Sequence, residues 1–345
     1  MHSSPGILAR LGRLAVVGIL GARALSAQLP DDLAQLVLER VETAIESIDY
    51  RATQTRRIRG SFSGYGQGGE MVGAVETMLH RAGSGPDGDR FSIELRGIEG
   101  RALSAPELQQ RQQVYRGQAD YLFRFQSFRV FDVERASHNY SVHLLGEGPL
   151  RAQRHTNRIA VVSRTADRPS WLLDLDAARG FPLYGAQFSP AGRLVGELEV
   201  ASISFGAAAQ VPIDDAWVWT PRLGVESFPS FEQAASRAAR VVSLPLANES
   251  IGAGYSFHHA RVVTNPITGE QSIVQAFDDG IDSVFVTQRA TTPSQSNGHT
   301  ARYYSDAGVF QCAFQHQATE FVVVGRNSSL REMAIRIYRL AVASM

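Results

Sequence analysis

The chain contains no lysine: all 34 of its basic residues are arginine, and 34 acidic residues balance them to a formal net charge of zero at pH 7. A balanced surface excludes non-specific nucleic-acid binding, which needs an excess of positive charge. The missing lysine is read as codon bias rather than selection for anion recognition. There is one cysteine, Cys312, so no intrachain disulfide forms and packed cores must supply the stability. No apolar run reaches the roughly 20 residues that span a bilayer. Neither a Gly-x-Ser-x-Gly elbow nor a His-Glu-x-x-His motif occurs.

What is present is an ordinary globular composition, 44% hydrophobic over 345 residues, which is long enough for two domains. Residues 1–27 stand apart. Arg10 and Arg13 open the segment, Leu14 to Leu20 form a short apolar core, and Ala24-Leu25-Ser26-Ala27 offers small residues for cleavage. That order predicts a secretory signal peptide, a periplasmic or otherwise exported location, and a mature chain that is soluble. Cleavage removes Arg10, Arg13 and Arg23, and leaves a nearly neutral protein.

After the leader, Leu33, Leu36, Val37, Val41, Ala44, Ile45 and Ile48 recur at helical spacing behind Asp31-Asp32, predicting one amphipathic helix. From Tyr50 to Phe205 the period changes to two. Tyr121, Phe123 and Phe125 alternate with Leu122, Arg124 and Gln126, and Trp171, Leu173 and Leu175 alternate with Leu172, Asp174 and Asp176. Turn formers at 84–88, 146–149 and 189–192 separate such runs. One helix and about ten antiparallel strands make an α+β domain, with the helix over the concave face of a curved sheet. Residues 207–215 read as a linker. Beyond them come a short helix from Phe231, strands near 256–263, 272–276, 283–288, 309–315 and 320–325, and a final helix. Ser329-Leu330-Arg331-Glu332 marks its start, and its apolar stripe is Leu330, Met333, Ala334, Ile337, Leu340 and Ala341.

Candidate chemistry is sparse. His258-His259 on a strand point to opposite faces and do not chelate one metal. Asp278-Asp279-Gly280-Ile281-Asp282 lacks the spacing of a calcium loop and reads as a solvated turn. Gly64-Tyr65-Gly66-Gln67-Gly68-Gly69 has no following Lys-Ser/Thr and reads as a hairpin tip rather than a phosphate cradle. Cys312, between Phe310 and Phe314, reads as a small buried apolar residue. Asn139, Asn248 and Asn327 begin Asn-x-Ser sequons that matter only in a glycosylating host. No catalytic group, metal site or cofactor emerges, so binding is the expected mode of action. A helix over a curved apolar sheet is one way to build a pocket for a hydrophobic guest, lined by Tyr121, Phe123, Phe125, Trp171, Leu173 and Leu175. A closed core filled by the same side chains fits the spacing equally well.

The run from Trp171 to Leu183, Trp-Leu-Leu-Asp-Leu-Asp-Ala-Ala-Arg-Gly-Phe-Pro-Leu, resembles a segment of the MucB/RseB family, and Gln187–Val195 and Ile203–Gly206 continue the likeness. Trp217–Pro221, Gly252–Tyr255, Val274–Gly280 and Phe321–Arg326 resemble the family's second domain, with a long insert at Thr291–Thr300 and Arg at 326 where Glu is common. The resemblance implies an unclosed, LolA-like β-barrel with a helix plug at 28–206 and a smaller antiparallel-sheet domain with helices at 216–345. It also implies a periplasmic regulator that binds the outer part of a membrane-anchored anti-sigma factor and responds to a lipid-like signal. A lipoprotein or lipid carrier of the LolA type, binding an acyl chain, is the alternative.

Overall fold

A computed structural model describes residues 27–59, 71–85, 88–210, 225–242, 246–247, 250–252, 254–264, 268–291, 302–306 and 309–343. The leader expected at 1–27 lies outside these except for Ala27. So do the glycine-rich tip at 64–69 and most of the insert after Thr291.

The chain divides into two compact units, Met1–Thr220 and Pro221–Met345. In the first, β1 (Ala27–Gln28) leads into α1 (Asp31–Glu46), then β2 (Tyr50–Arg59), β3 (Met71–Gly85) and β4 (Gly88–Ile98). Two helices follow, α2 (Ala105–Phe125) and α3 (Val133–Asn139). The strands β5 (Tyr140–Arg151), β6 (Arg154–Ser163), β7 (Ser170–Asp176), β8 (Pro182–Phe188) and β9 (Leu194–Phe205) complete the unit. The nine strands form one antiparallel sheet in the order β1-β5-β6-β7-β8-β9-β2-β3-β4. Among the described residues β1 and β4 do not pair with each other, so the sheet curls without closing.

Among the described residues this unit has three helices rather than the single one expected. Tyr121, Phe123 and Phe125 lie on α2 and not on a strand. The signal for α2 is local: Ser104 caps it, and the Glu107 carboxylate accepts from the Ser104 backbone N–H (2.9 Å) and hydroxyl (2.8 Å), with Pro106 in the first turn. Its buried residues Tyr115, Ala119, Leu122 and Phe123 follow helical spacing. The alternation of aromatics at 121, 123 and 125 mimics a strand because both Phe123 and Phe125 reach the interior from one turn. The stripe expected for α1 is also corrected. Its buried residues are Ala34, Leu38, Val41, Ala44 and Ile45, while Leu33 and Leu36 are 46% and 58% exposed. Arg40 helps set that rotation by donating to the carbonyls of Ala177 and Ala178 after β7, at 2.9 and 2.8 Å. Gly180, at φ +79°, lies against the Arg40 side chain, where an added Cβ would stand 2.8 Å from its Cγ.

Of residues 207–215, Gly206–Ala209 forms a 3-10 turn with Ala209 buried, and 211–215 lie outside the described residues. The second unit contains β10 (Val225–Phe228), α4 (Phe231–Ala238), β11 (Ser250–Gly252), β12 (Tyr255–Thr264), β13 (Gln271–Asp278) and β14 (Ser283–Ala290). It continues with β15 (Arg302–Asp306), β16 (Val309–His316), β17 (Thr319–Gly325) and α5 (Leu330–Ala343). Its antiparallel sheet runs β10-β12-β13-β14-β17-β16-β15, with β11 also on β12. Leu330, Met333, Ala334 and Ile337 of α5 pack with Tyr255, Phe277, Phe321 and Val323. Gly325 permits the approach, since a Cβ there would lie 2.9 Å from both Leu330 and Val284. Among the described residues no helix is long and apolar enough to cross a membrane.

The acidic turn after β13 is buried rather than solvated. Asp278, Asp279 and Asp282 are 2%, 0% and 3% exposed. Asp279 accepts from the N–H groups of Ile281 and Asp282, and Asp282 accepts from the Tyr255 hydroxyl at 2.9 Å. The turn's own donors replace water, so the carboxylates brace the hairpin. A register shift between Phe257 and His259 breaks the simple alternation expected of the two histidines, bringing their rings to 5.1 Å. His258 faces Asp278 at 3.3 Å. Among the described residues no group of His, Cys, Asp or Glu is placed to hold a metal ion.

Candidate functional site

The inner face of β2 carries Ala52, Gln54 and Arg56, two of them polar at positions that a purely apolar core would fill. Glu76 on β3 explains them. It is fully buried, pairs with the 2% exposed Arg56 at 2.8 Å, and accepts from Gln54 at 2.6 Å. From the other side, Tyr115 of α2 donates its hydroxyl to Glu76. The remaining Arg56 nitrogen, Nη1, reaches past the end of α2, donating to the Gln126 carbonyl at 2.9 Å and the Ser127 hydroxyl at 3.1 Å. Burial alone would lower the pKa of Arg56, yet the adjacent Glu76 carboxylate outweighs it and raises that pKa above its ordinary value. The cluster is therefore a polar latch holding the middle of α2, at Tyr115, and the chain just past its C-terminal end to the sheet.

Around the latch the packing is aromatic. Phe123 stacks on Phe91 at 4.1 Å and lies 5.5 Å from His80, which in turn is 5.1 Å from Tyr50. His80 Nδ1 sits 3.0 Å from the Ile48 carbonyl, so it carries the proton. The Arg129 guanidinium covers the other approach to Phe123 at 4.1 Å. Between these groups is a cavity of about 30 Å³, bounded by Tyr50, Arg56, Met78, Phe123, Phe128 and Phe181. That space holds about one water and no acyl chain.

The six residues expected to line a pocket divide accordingly. Phe123 borders the cavity. Phe125, Trp171, Leu173 and Leu175 are buried in the surrounding core, with Trp171 edge-on to Phe128 at 5.4 Å. Tyr121 lies on α2, and its side chain is outside the described residues. Arg56, Glu76, Tyr115, Tyr50 and Phe181 were missed. Tyr50 and Arg56 lie on β2, Glu76 on β3, Tyr115 on α2 and Phe181 just before β8, so no local pattern in the sequence joins them.

The opposite face of the sheet carries charge. Asp174, fully buried, receives Arg158 at 2.7 Å and Arg151 at 3.0 Å; Arg151 also reaches Glu199 at 2.6 Å. Arg57 continues the ladder to Glu199 at 3.3 Å and Glu99 at 2.7 Å. Burial and then the nearby Glu197 push the Tyr184 hydroxyl up to about 12. These bonds tie β5, β6, β7, β9 and β2 across the curve of the sheet.

No protein-family model and no curated protein sequence matches the chain. Solved structures do. One of MucB superposes with a TM-score of 0.54 at 18% identity, covering 88% of this chain and 96% of that one. The chain has a MucB-like fold. MucB in complex with MucA(peri) matches at 0.52 and 17%, with 88% and 96% covered. The MucA/MucB complex of Pseudomonas aeruginosa matches at 0.53 and 17%, with 87% and 96% covered. The MucB-like fold thus includes elements from both units, and the latch and small cavity lie in the first.

Proposed function

We propose that this chain is a periplasmic, non-enzymatic regulator that binds the outer domain of a membrane-anchored anti-sigma factor and senses an amphipathic ligand. The observation behind it is the MucB-like fold over most of the chain, two of whose solved examples are complexes with MucA. In this reading the chain is processed after Ala27 and consists of a LolA-like half-barrel at 28–206, a linker at 207–215 and a smaller domain at 216–345. The ligand, a lipid or lipoprotein acyl chain, occupies the space under α2. That space measures about 30 Å³, too small for an acyl chain, and binding selects a form in which Gln126 and Ser127 have left Arg56. Partner affinity then follows the balance between the two forms.

Two measurements on the mature protein test this. Calorimetry against the outer domain of an anti-sigma factor from the same genome should show a saturable 1:1 complex. Native mass spectrometry after incubation with phospholipid or lipopolysaccharide should show a retained acyl ligand. Ligand without partner would favour a carrier of the LolA type; neither would remove the regulatory reading.

A further inference from the structure

At one end of the first sheet, β5 runs for twelve residues, and among the described residues its outer neighbour β1 pairs with it at Ala27 and Gln28. Ala27 lies opposite Leu144 and Gln28 opposite His143, and the Leu29 N–H donates to the Val142 carbonyl at 2.9 Å. From Leu145 to Arg151 no strand pairs with the outer edge of β5 among the described residues. An open edge invites another extended chain, and proteins usually blunt it. Here the blunting is partial. Bulges occur on the β6 side at Leu144/Gly146 and Gly148/Arg151, and Pro149 lacks a donor. Yet Leu144 and Leu150 remain 42% and 65% exposed on this strand, with the exposed Glu147 midway.

We propose that the outer edge of β5 is the site at which an extended segment of the protein partner adds as an antiparallel strand. Two observations, together with the proposed processing of the leader, define the occupant. β1 shows that the edge accepts a strand, and in which direction. The proposed cleavage after Ala27 removes half of β1 and leaves the edge open from Leu144 onward. Charge then separates a foreign strand from a second copy. Pairing Leu144 of one copy with Leu150 of another about a two-fold axis sets Glu147 against Glu147, and like charges directly opposite are destabilising. The fitting segment presents apolar side chains to Leu144 and Leu150 and carries Arg or Lys between them to face Glu147. Main-chain hydrogen bonds supply affinity in such additions, and the side chains supply register.

The proposal rests on the partner-binding reading above, and its test separates the two. Amide hydrogen exchange of the mature protein is measured with and without the outer domain of the anti-sigma factor. Slower exchange within 144–151 on binding is expected. The Leu144→Asp/Leu150→Asp variant should bind about tenfold or more weakly, and Glu147→Arg should also weaken binding while Glu147→Gln does so less. Both leucines are exposed, so circular dichroism should be unchanged. A partner that binds with exchange in 144–151 unaltered, or that binds the double variant as well as the wild type, overturns strand addition and leaves partner binding intact. No binding by the wild-type protein overturns both.

Discussion

Arg56 and Glu76 are each buried and depend on one another, so removing either leaves an uncompensated charge inside the first unit. Arg56→Met or Glu76→Leu alone should cost about 3–5 kcal/mol in urea unfolding, whereas the double substitution should recover much of that loss. Additive losses would show that the pair does not act as a unit. Asp176 offers a pH test. Burial pushes its carboxyl up, but Arg154 and the N–H groups of Arg179 and Ala178 outweigh this and hold it below the ordinary value. A depressed folded-state pKa means that the native protein holds this proton less readily than the unfolded chain. The stabilisation is complete above the unfolded value near about 4 and is lost as pH falls through the lower folded one. Asp176→Asn should therefore flatten the acid limb of the stability curve below about pH 4 and lower stability at neutral pH. An unchanged acid limb would assign that limb to other carboxylates.

At the scale of elements, α1 and α2 differ in how their sequences encode them. The existence and span of α1 are legible from its period, but its rotation is not. Leu33 and Leu36 fit the apolar stripe by spacing, yet they face outward while Ala34, Leu38, Val41, Ala44 and Ile45 fill the core. Leu38→Ala should cost about 2–5 kcal/mol, while Leu36→Ser should stay within about 0.5 kcal/mol of wild type, both read from thermal unfolding. The reverse ranking would restore the rotation that spacing suggests. For α2 the capping box at Ser104-Glu107 is legible, but three aromatics at alternate positions imitate a strand and obscure it. Ser104→Ala should lower stability by about 1 kcal/mol, and an unchanged melting temperature would show that tertiary packing alone sets the start of this helix.

For the whole molecule the functional question is whether the space under α2 opens. Ser127→Ala removes one of the two groups that hold Arg56 Nη1 without touching the Arg56–Glu76 pair. The variant should take up a fluorescent fatty acid faster than the wild type while keeping its circular dichroism. Equal rates would take the latch out of the sensing mechanism. Glu76→Gln tests the other side of the same balance and should act in the same direction, since Tyr115 and Arg56 both depend on that carboxylate.

Local patterns alone established the mostly antiparallel β character, the two terminal helices and most strands of the second unit. Hydrophobic period and turn residues act over a few residues and survive without knowledge of the fold. The Trp171–Leu183 run and the later short motifs also pointed to the MucB-like architecture. Contacts between residues far apart in the chain decided the rest. Arg56 and Glu76 lie on neighbouring strands, and Tyr115 comes from a helix beyond both. Buried polar groups of this kind look like a solvated face until their partners are known. The acidic turn at Asp278–Asp282 is the same case in the second unit: the residues are those of a surface loop, and only the enclosing Tyr255 and the turn's own backbone make it interior. Sequence periodicity determines which faces exist, whereas tertiary packing determines which of them water reaches.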